Sequence, residues 1–592
     1  LLVAVAEPCR AQATSRPVLP PIASTSPSGQ LSEVGAVEIH QLRFQGNTVF
    51  SDQQLTAAAT PILDRRPDHM LSIEDLQAIR TALTQLYVNA GYINSGAVLP
   101  DQQIVDGIVT YKIVEGKLTA VRVLRRRPPS AVELQATAPP PTPPPPANNQ
   151  VGAGAHPNEA APPPIPSGSA DQGLHLLRNS YVADRVYLAT GPPLNITKLK
   201  ERLELLRQDP NIQAVNGILK PGDEPGESIL NLFITERNPF HLGAAFSNPR
   251  SPAVGAYRTD ILASDTDLTG SGDALSLRYG VLDGSIDDMR FAKDNDLSVD
   301  YSFPFTSIDT TFLVDYTRSS DLVVEPPFDA ADITSQTDEL SFTIRQPILH
   351  TPTQQLAIFA GAASDENTTY VMGQPFPFSP GADNGTSNVF ALRVGADYTN
   401  VGASDALALR STFGIGLEFP DATVNGGGLP DTRFFDWLGQ AQYVHALPLG
   451  PVDSSFYGTK GVLRFNAQLS AEPLLVPEQF GLGGIQTVRG YRENQIVRDN
   501  GLDLQAELHI PLVQHSGADW LDVRPFVDAG YGWNVKDSSP QLLSSIGVGL
   551  VFTPTDKINF QIYYGYAFKK FDNPTTDLQD MGIHFSLTVF AF

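Results

Sequence analysis

The amino-acid sequence predicts a mainly β protein, a sixteen-stranded transmembrane β-barrel preceded by two small α/β modules. Three observations carry this. From Asn238 onward helical periodicity almost disappears and alternation takes over, as in Ile558, Phe560, Ile562, Tyr564, Tyr566 and Phe568 set against Lys557, Asn559, Gln561, Tyr563, Gly565 and Ala567. No uninterrupted apolar run of about 18 residues occurs, so a membrane-crossing helix is excluded. Connections between the alternating segments are short and long in turn, the pattern of tight turns on one side of a barrel and surface loops on the other.

Composition narrows the function classes. The 592 residues carry 40 Lys and Arg against 64 Asp and Glu, a formal charge of −24. That charge repels phosphate backbones and argues against a nucleic-acid partner. The only cysteine is Cys9, so neither an internal disulfide nor a cysteine-based metal site is expected. No cofactor or metal is called for.

In chain order, residues 1–13 read as the remnant of a secretory signal. Leu1 to Ala6 is apolar, and Ala11, Gln12 and Ala13 fit the small-residue pattern that signal peptidase cleaves. The initiator Met and charged leading segment are missing, so the chain is expected to begin inside a precursor. Residues 14–36 form a Pro/Ser-rich linker that buries too little apolar surface to fold.

The first module is expected over 37–116. Val37, Ile39, Leu42 and Phe44 make a strand ending at the turn Gly46-Asn47, and Ser51 with Gln54 has the form of a capping box. Ser72 opens a second helix with Leu76, Ile79, Leu83, Leu86 and Tyr87 on one face, stopped by Gly91. Val98 and Leu99, then Ile108 to Val114, supply two further strands. The order suits a three-stranded sheet covered by two helices.

A second module over 117–237 repeats this plan. Leu118 to Leu124 begins it, Leu199, Leu203 and Leu206 lie on a helix, and Ile212 to Leu219 and Ile229 to Ile234 close it. The insert 127–173 interrupts it with fourteen prolines, a composition that takes extended polyproline geometry.

The barrel is expected over 238–592. Its sixteen strands begin near His241, Tyr257, Asp273, Asp296, Thr310, Glu339, Gln355, Val389, Ala406, Phe434, Tyr457, Leu502, Asp522, Leu542, Lys557 and Met581. Thr269 to Gly272 and Thr553 to Thr555 are short turns. Ser319 to Thr337, Ser364 to Asn388 and Glu418 to Arg433 are long loops. A closed barrel leaves no unpaired edge in hydrocarbon. Phe592 ends the chain with an aromatic, one residue out of step with Ile583, Phe585, Leu587 and Val589.

The sixth surface loop, 471–500, contains Gly481-Leu-Gly-Gly-Ile-Gln-Thr-Val-Arg-Gly-Tyr-Arg-Glu493. Arg489 between Val488 and Gly490 is placed to enter a confined space, where it needs a carboxylate fork. On strand thirteen Arg524, Phe526, Asp528, Gly530 and Gly532 share one face, and on strand twelve Glu507 has the same inward parity. The expected contact is Arg489 with Asp528, and secondarily Glu507.

Val488-Arg-Gly-Tyr491 with Phe526-Val-Asp-Ala-Gly530, two N-terminal modules and a sixteen-stranded barrel resemble the outer-membrane transporters of two-partner secretion, the haemolysin and filamentous-haemagglutinin secretion family. Phe44-Gln-Gly-Asn-Thr-Val-Phe50, Gly91-Tyr92, Val114-Glu-Gly116 and Pro221 to Ser228 resemble that family's polypeptide-transport-associated (POTRA) domains. The resemblance runs from Val37 to the C-terminus. It implies an outer-membrane protein of a Gram-negative bacterium with periplasmic POTRA domains. Its function would be ATP-independent export of a large β-helical exoprotein of adhesin or haemolysin type. Outer-membrane lipid and the barrel-assembly machinery that inserts it would be further partners. The client would add strands to a POTRA sheet edge; Val98, Leu99 and the helix face near Leu83 are either client contacts or ordinary module core. Family members often carry a pore-plugging N-terminal helix, for which Ser15 to Val34 gives no pattern.

Other classes fit less well. An enzyme is not expected, since Gly-x-Ser-x-Gly, His-Glu-x-x-His and Walker patterns are absent and the ten histidines are scattered. The inward Asp528 and Glu507 resemble a catalytic carboxylate pair, but the matching loop arginine favours a structural role. A barrel-assembly insertase, from the same superfamily, is the alternative, although such proteins carry more modules. A passive porin would leave the modules and Arg489 without purpose.

Overall fold

The computed structural model describes residues 36–125, 177–188, 191–283, 295–451, 454–515, 518–536 and 539–591. The expectations for the signal remnant, most of the linker, the proline-rich insert and Phe592 fall outside them. The chain forms two units, 37–237 and, from 238 onward, the barrel.

In the first unit, β1 (Val37–Glu38), β2 (Gln41–Gln45), α1 (Asp52–Leu63), β3 (Met70–Leu71), α2 (Ile73–Asn89), β4 (Gly96–Val98) and β5 (Ile108–Val114) follow in order. The main sheet runs β2-β5-β4, parallel then antiparallel. The single opening strand read from the sequence is divided. β1 pairs with β3, and at Ile39 and His40 the backbone changes partners, donating to His69 and Gly107 carbonyls before β2 joins the sheet. Alternation over Val37 to Phe44 is blind to this, because buried Ile39 serves the same core from either side. Ser51 and Gln54 form the capping box, and Ser72 with Asp75 forms a second. Leu55, Ile79, Leu83, Tyr87, Val109 and Tyr111 are fully buried, each aliphatic one contributing roughly 1.5–3 kcal/mol.

Glu115 ties this module's loops together. Its carboxylate accepts from the Thr48 N–H (2.6 Å), the Thr48 hydroxyl, the Val49 N–H (2.9 Å) and the Tyr87 hydroxyl (2.8 Å). Burial alone would raise this carboxyl, but these donors outweigh it and hold Glu115 below the usual carboxylate range.

The second half of the unit contains β6 (Lys117–Arg125), α3 (Asn179–Tyr187), α4 (Ile196–Arg207), β7 (Ile212–Pro221) and β8 (Glu227–Glu236), with sheet order β6-β8-β7. The α3 helix escaped sequence reading because it has no side-chain cap and buries only Val182 and Val186. At the points where the insert leaves and returns, one residue bridges the gap. Arg125, the last described residue before it, bonds the Leu177 carbonyl, the Asn179 amide and, at 2.9 Å, Glu236. Between the modules, the Leu194 N–H meets the Gly116 carbonyl at 2.6 Å and the Ile196 N–H meets Gly91 at 2.9 Å.

In the second unit sixteen spanning strands close into an antiparallel barrel. They are Phe240–Ser247, Tyr257–Asp265, Ala274–Asp283, Asn295–Pro304, Thr311–Leu322, Ile333–His350, Gln354–Val371, Thr386–Val401, Asp405–Gly416, Phe435–Ala446, Lys460–Ser470, Asn500–His515, Ala518–Trp533, Gln541–Thr555, Ile558–Ala567 and Ile583–Phe590, strands 1 to 16 below. Exposure is inverted relative to a water-soluble fold. Ile261, Ile344, Val527, Ile546, Tyr564 and Tyr566 are about half exposed, whereas Asp260, Asp503, Gln505, Glu507 and Asp528 are buried. Apolar side chains outside and polar ones inside are what hydrocarbon requires of a barrel.

Two expected long loops are shorter than read. Strands 6 and 7 are 18 residues each and pair from Ile333 opposite Val371 down to His350 opposite Gln355. About 10 residues suffice to span a bilayer, so this hairpin continues beyond it as sheet. Its outer part, Ser335 to Glu339 with Asp365 to Thr369, lacks apolar alternation because neither face meets lipid.

The Glu115 cluster generates a pH prediction. A carboxyl depressed on folding stabilises the module above its unfolded value, 4.5, and that contribution is lost as pH falls through the folded value. In thermal unfolding of the purified protein followed between about pH 3 and 7, wild type should lose stability on acidification, and Glu115→Gln should be less stable at pH 7, by about 1.5–3 kcal/mol, with a flatter acid limb.

Candidate functional site

The sixth outward loop joins strands 11 and 12 and carries a short hairpin of its own, Phe480–Leu482 paired with Ile496–Arg498. Val488 to Tyr491 lies between these two arms, and contacts with inward-facing residues of strands 12 to 15 place it inside the barrel.

Arg489 is 2% exposed. Its Nε and Nη2 donate to the two Asp528 oxygens at 2.8 Å each, its backbone N–H adds a third bond at 3.1 Å, and Nη1 reaches Glu507. Register explains how both acids serve one guanidinium. Asp528 on strand 13 lies opposite Gln505, and Glu507 two residues along strand 12 lies opposite Phe526. The carboxylates are therefore diagonal neighbours on one face. The guanidinium carbon lies 3.6 Å from the centre of the Phe526 ring and 5.0 Å from that of Tyr563, a planar stacking that Arg provides and Lys does not. His509 Nε2 lies 2.6 Å from the second Glu507 oxygen.

Glycine makes the approach possible. Gly490 has φ +89°, and a Cβ there would lie 2.7 Å from the Gly565 carbonyl oxygen on strand 15. At Gly530 a Cβ would meet Leu482 and Val488 at 2.8 Å. Val488 is fully buried in the cluster of Leu482, Tyr491, Ile496, Leu543 and Ala567. The Tyr491 hydroxyl donates to the Ser544 carbonyl at 3.0 Å and accepts from the Lys569 N–H at 3.1 Å.

The structure thus brings together Val488, Arg489, Gly490, Tyr491, Phe526, Asp528, Gly530 and Glu507. The three residues named for client contact separate. Leu83 has no exposed surface and belongs to the module core, which corrects the expectation that a client could touch it. Val98 is 46% exposed on β4, and Leu99 packs partly buried against the same core.

Sequence reading missed a second arginine at the outer rim. Arg492 is 6% exposed. It forms a fork on Asp580 at 2.6 and 2.7 Å and reaches both Glu325 oxygens at 2.9 and 3.0 Å. Arg492 adjoins Tyr491, so it was in view, but Glu325 and Asp580 lie in loops without periodicity to mark them. Nearer the loop's start, Arg393 on strand 8 holds Glu478 at 2.6 and 2.7 Å. Beside it lies an open cavity of about 380 Å³ lined by Asp315, Glu339, Ser341, Asp365 and Arg393, a polar space between loop and wall.

Comparison with known proteins agrees with this architecture. Residues 226–552 match the family described as haemolysin secretion/activation protein ShlB/FhaC/HecB, and residues 37–116 match the POTRA domain of ShlB type. The outer membrane transporter CdiB of Dickeya dadantii (strain 3937) is 21% identical over 520 residues, 86% of this chain and 79% of that protein. Among solved structures, CdiB from Escherichia coli shares the fold with a TM-score of 0.62 at 19% identity, covering 96% of this chain and 93% of that one. CdiB from Acinetobacter baumannii does so at 0.59 and 15%, covering 99% and 95%. A match over more than half of the chain, joined to a periplasmic POTRA module and a lipid-facing barrel, settles the matter: this chain belongs to the ShlB/FhaC/HecB haemolysin secretion/activation family, the two-partner secretion transporters of the outer membrane, and is a translocator of a secreted exoprotein rather than an enzyme.

Proposed function

We propose that the barrel is the conduit for a large β-helical exoprotein of adhesin or haemolysin type, and that the sixth loop, seated by Arg489 on Asp528 and Glu507, is the element whose position governs passage. The observation that carries this is the burial of Arg489 on two inward-facing carboxylates. A loop only decorating the surface would keep its guanidinium hydrated, since exposed pairs contribute about 0–1 kcal/mol. Here the desolvation is met by a fork, a third carboxylate bond and an aromatic face, so the seat is stable yet built from bonds that a moving loop can exchange for water. Export without ATP belongs to the same proposal, and no nucleotide-binding pattern in the sequence opposes it.

The division into 37–116, 117–237 and 238–592 belongs to the same reading, with the first two parts receiving the unfolded client. β4 is an edge strand of its sheet with Val98 46% exposed, and a strand arriving there would displace the Thr84 hydroxyl that accepts the Ala97 N–H at 3.1 Å. The outward belt of Ile261, Val527 and Tyr564 supports direct contact with outer-membrane lipid, and a sixteen-strand closure calls for the barrel-assembly machinery during insertion.

The test is secretion of the cognate exoprotein into culture medium. Arg489→Ala should lower export by about tenfold or more, as expected where removing one partner of a buried pair costs about 3–5 kcal/mol, with the barrel still inserted and heat-modifiable on gels; unchanged export rejects the reading. Asp528→Arg should be at least as damaging. Gly490→Ala, which leaves every charge in place but forces Cβ against Gly565, should also depress export by several-fold; wild-type export would remove close backbone approach from the account.

A further inference from the structure

We infer that Gln579 is a positioning residue that couples the seat of the sixth loop to closure of the barrel between strands 1 and 16. The closing ladder is the shortest between neighbouring spanning strands of the barrel, running only from Ser586 opposite Ser247 to Phe590 opposite Gly243. Beyond it a side chain takes over from the backbone. Asn248 donates its N–H to the Phe585 carbonyl at 3.3 Å, its Nδ2 donates to the Ile583 carbonyl at 2.9 Å, and its Oδ1 accepts the Phe585 N–H at 2.8 Å. The outer end of the seam therefore depends on where Asn248 is held.

Gln579, in the loop between strands 15 and 16, holds it. Gln579 is fully buried. Its amide nitrogen donates to the Asn248 carbonyl at 2.9 Å and the Arg250 carbonyl at 2.5 Å, and its oxygen accepts the Glu493 N–H of the sixth loop at 2.9 Å. One amide thus joins the sixth loop, the first loop and, through Asn248, strand 16. Its neighbour Asp580 carries the Arg492 fork, so Arg492 and Glu493 hold two successive residues of that loop.

The physical consequence is directional. If the sixth loop withdraws, the Gln579 oxygen loses its donor in a buried site, a state that polar groups avoid by turning toward water. An amide that turns releases the Asn248 and Arg250 carbonyls, and the seam loosens from its outer end. By reciprocity, parting the seam weakens the loop's seat. The barrel would then widen in step with the loop's departure instead of remaining a fixed ring. This rests on the reading of the loop as a movable element, but its test needs no client.

The test uses the full-length protein in outer membranes, in a Cys9→Ser background with Ser247→Cys as reporter. Ser247 is 8% exposed, so maleimide labelling there reports opening of the seam. Gln579→Leu should raise the labelling rate about tenfold. Arg489→Ala should raise it with Gln579 present but add less than about twofold in the Gln579→Leu background. Unchanged labelling in Gln579→Leu, or effects of the two substitutions that simply multiply, would overturn the coupling. Should Gln579→Leu fail to insert, Gln579→Glu retains the acceptor, removes both donors and is held to the same outcomes. Loss of export in Arg489→Ala without any seam response would sink this inference alone and leave the conduit reading standing.

Discussion

The buried guanidinium of Arg489 is the constraint around which the barrel interior is arranged. A charge that is 2% exposed is tolerable only when paired and fully hydrogen-bonded. That demand fixes the inward parity of Asp528 and Glu507, places Phe526 beneath the planar group and excludes a side chain at Gly490. Two of these are requirements on strand 13, one is on strand 12, and one is on the loop where it meets Gly565 of strand 15. Satisfying them together sets the relative register of strands 12 and 13, because a one-residue slip would turn a carboxylate toward lipid.

Such an interaction suits a transporter better than apolar packing would. An apolar seat in this position would hold the loop without discrimination. A charged seat is strong when dry and weak when wet, so admission of water along the lumen is itself a means of release. A polar cavity lies beside the loop's first turn, where Pro477 faces strands 5 to 9.

Much of this was legible in the sequence, for identifiable reasons. Alternation in strands 12 to 15 is enforced by lipid on one face and acids on the other, so parity alone placed Asp528 and Glu507 opposite the loop. Where both faces are wet, as over Ser335 to Glu339, that signal vanishes and the sheet was taken for loop. Arg492 lay within the same motif, but its partners Glu325 and Asp580 are 167 and 88 residues away in sequence and carry no pattern. The division of the first strand at Ile39 was equally invisible, because hydrophobic spacing reports burial and not which backbone a strand pairs with.

Arg125 carries a consequence of another kind. By tying Leu177, Asn179 and Glu236 at the two stumps of the proline-rich segment, it makes the second module's integrity independent of what runs between them. The ends are already pinned, and loop-closure entropy grows only with the logarithm of length. Residues can therefore be added to or lost from that segment over generations with little thermodynamic penalty to the domain. The periplasmic arm has, in effect, a site open to evolutionary experiment, where new sequence can be tried without putting the secretion apparatus at risk.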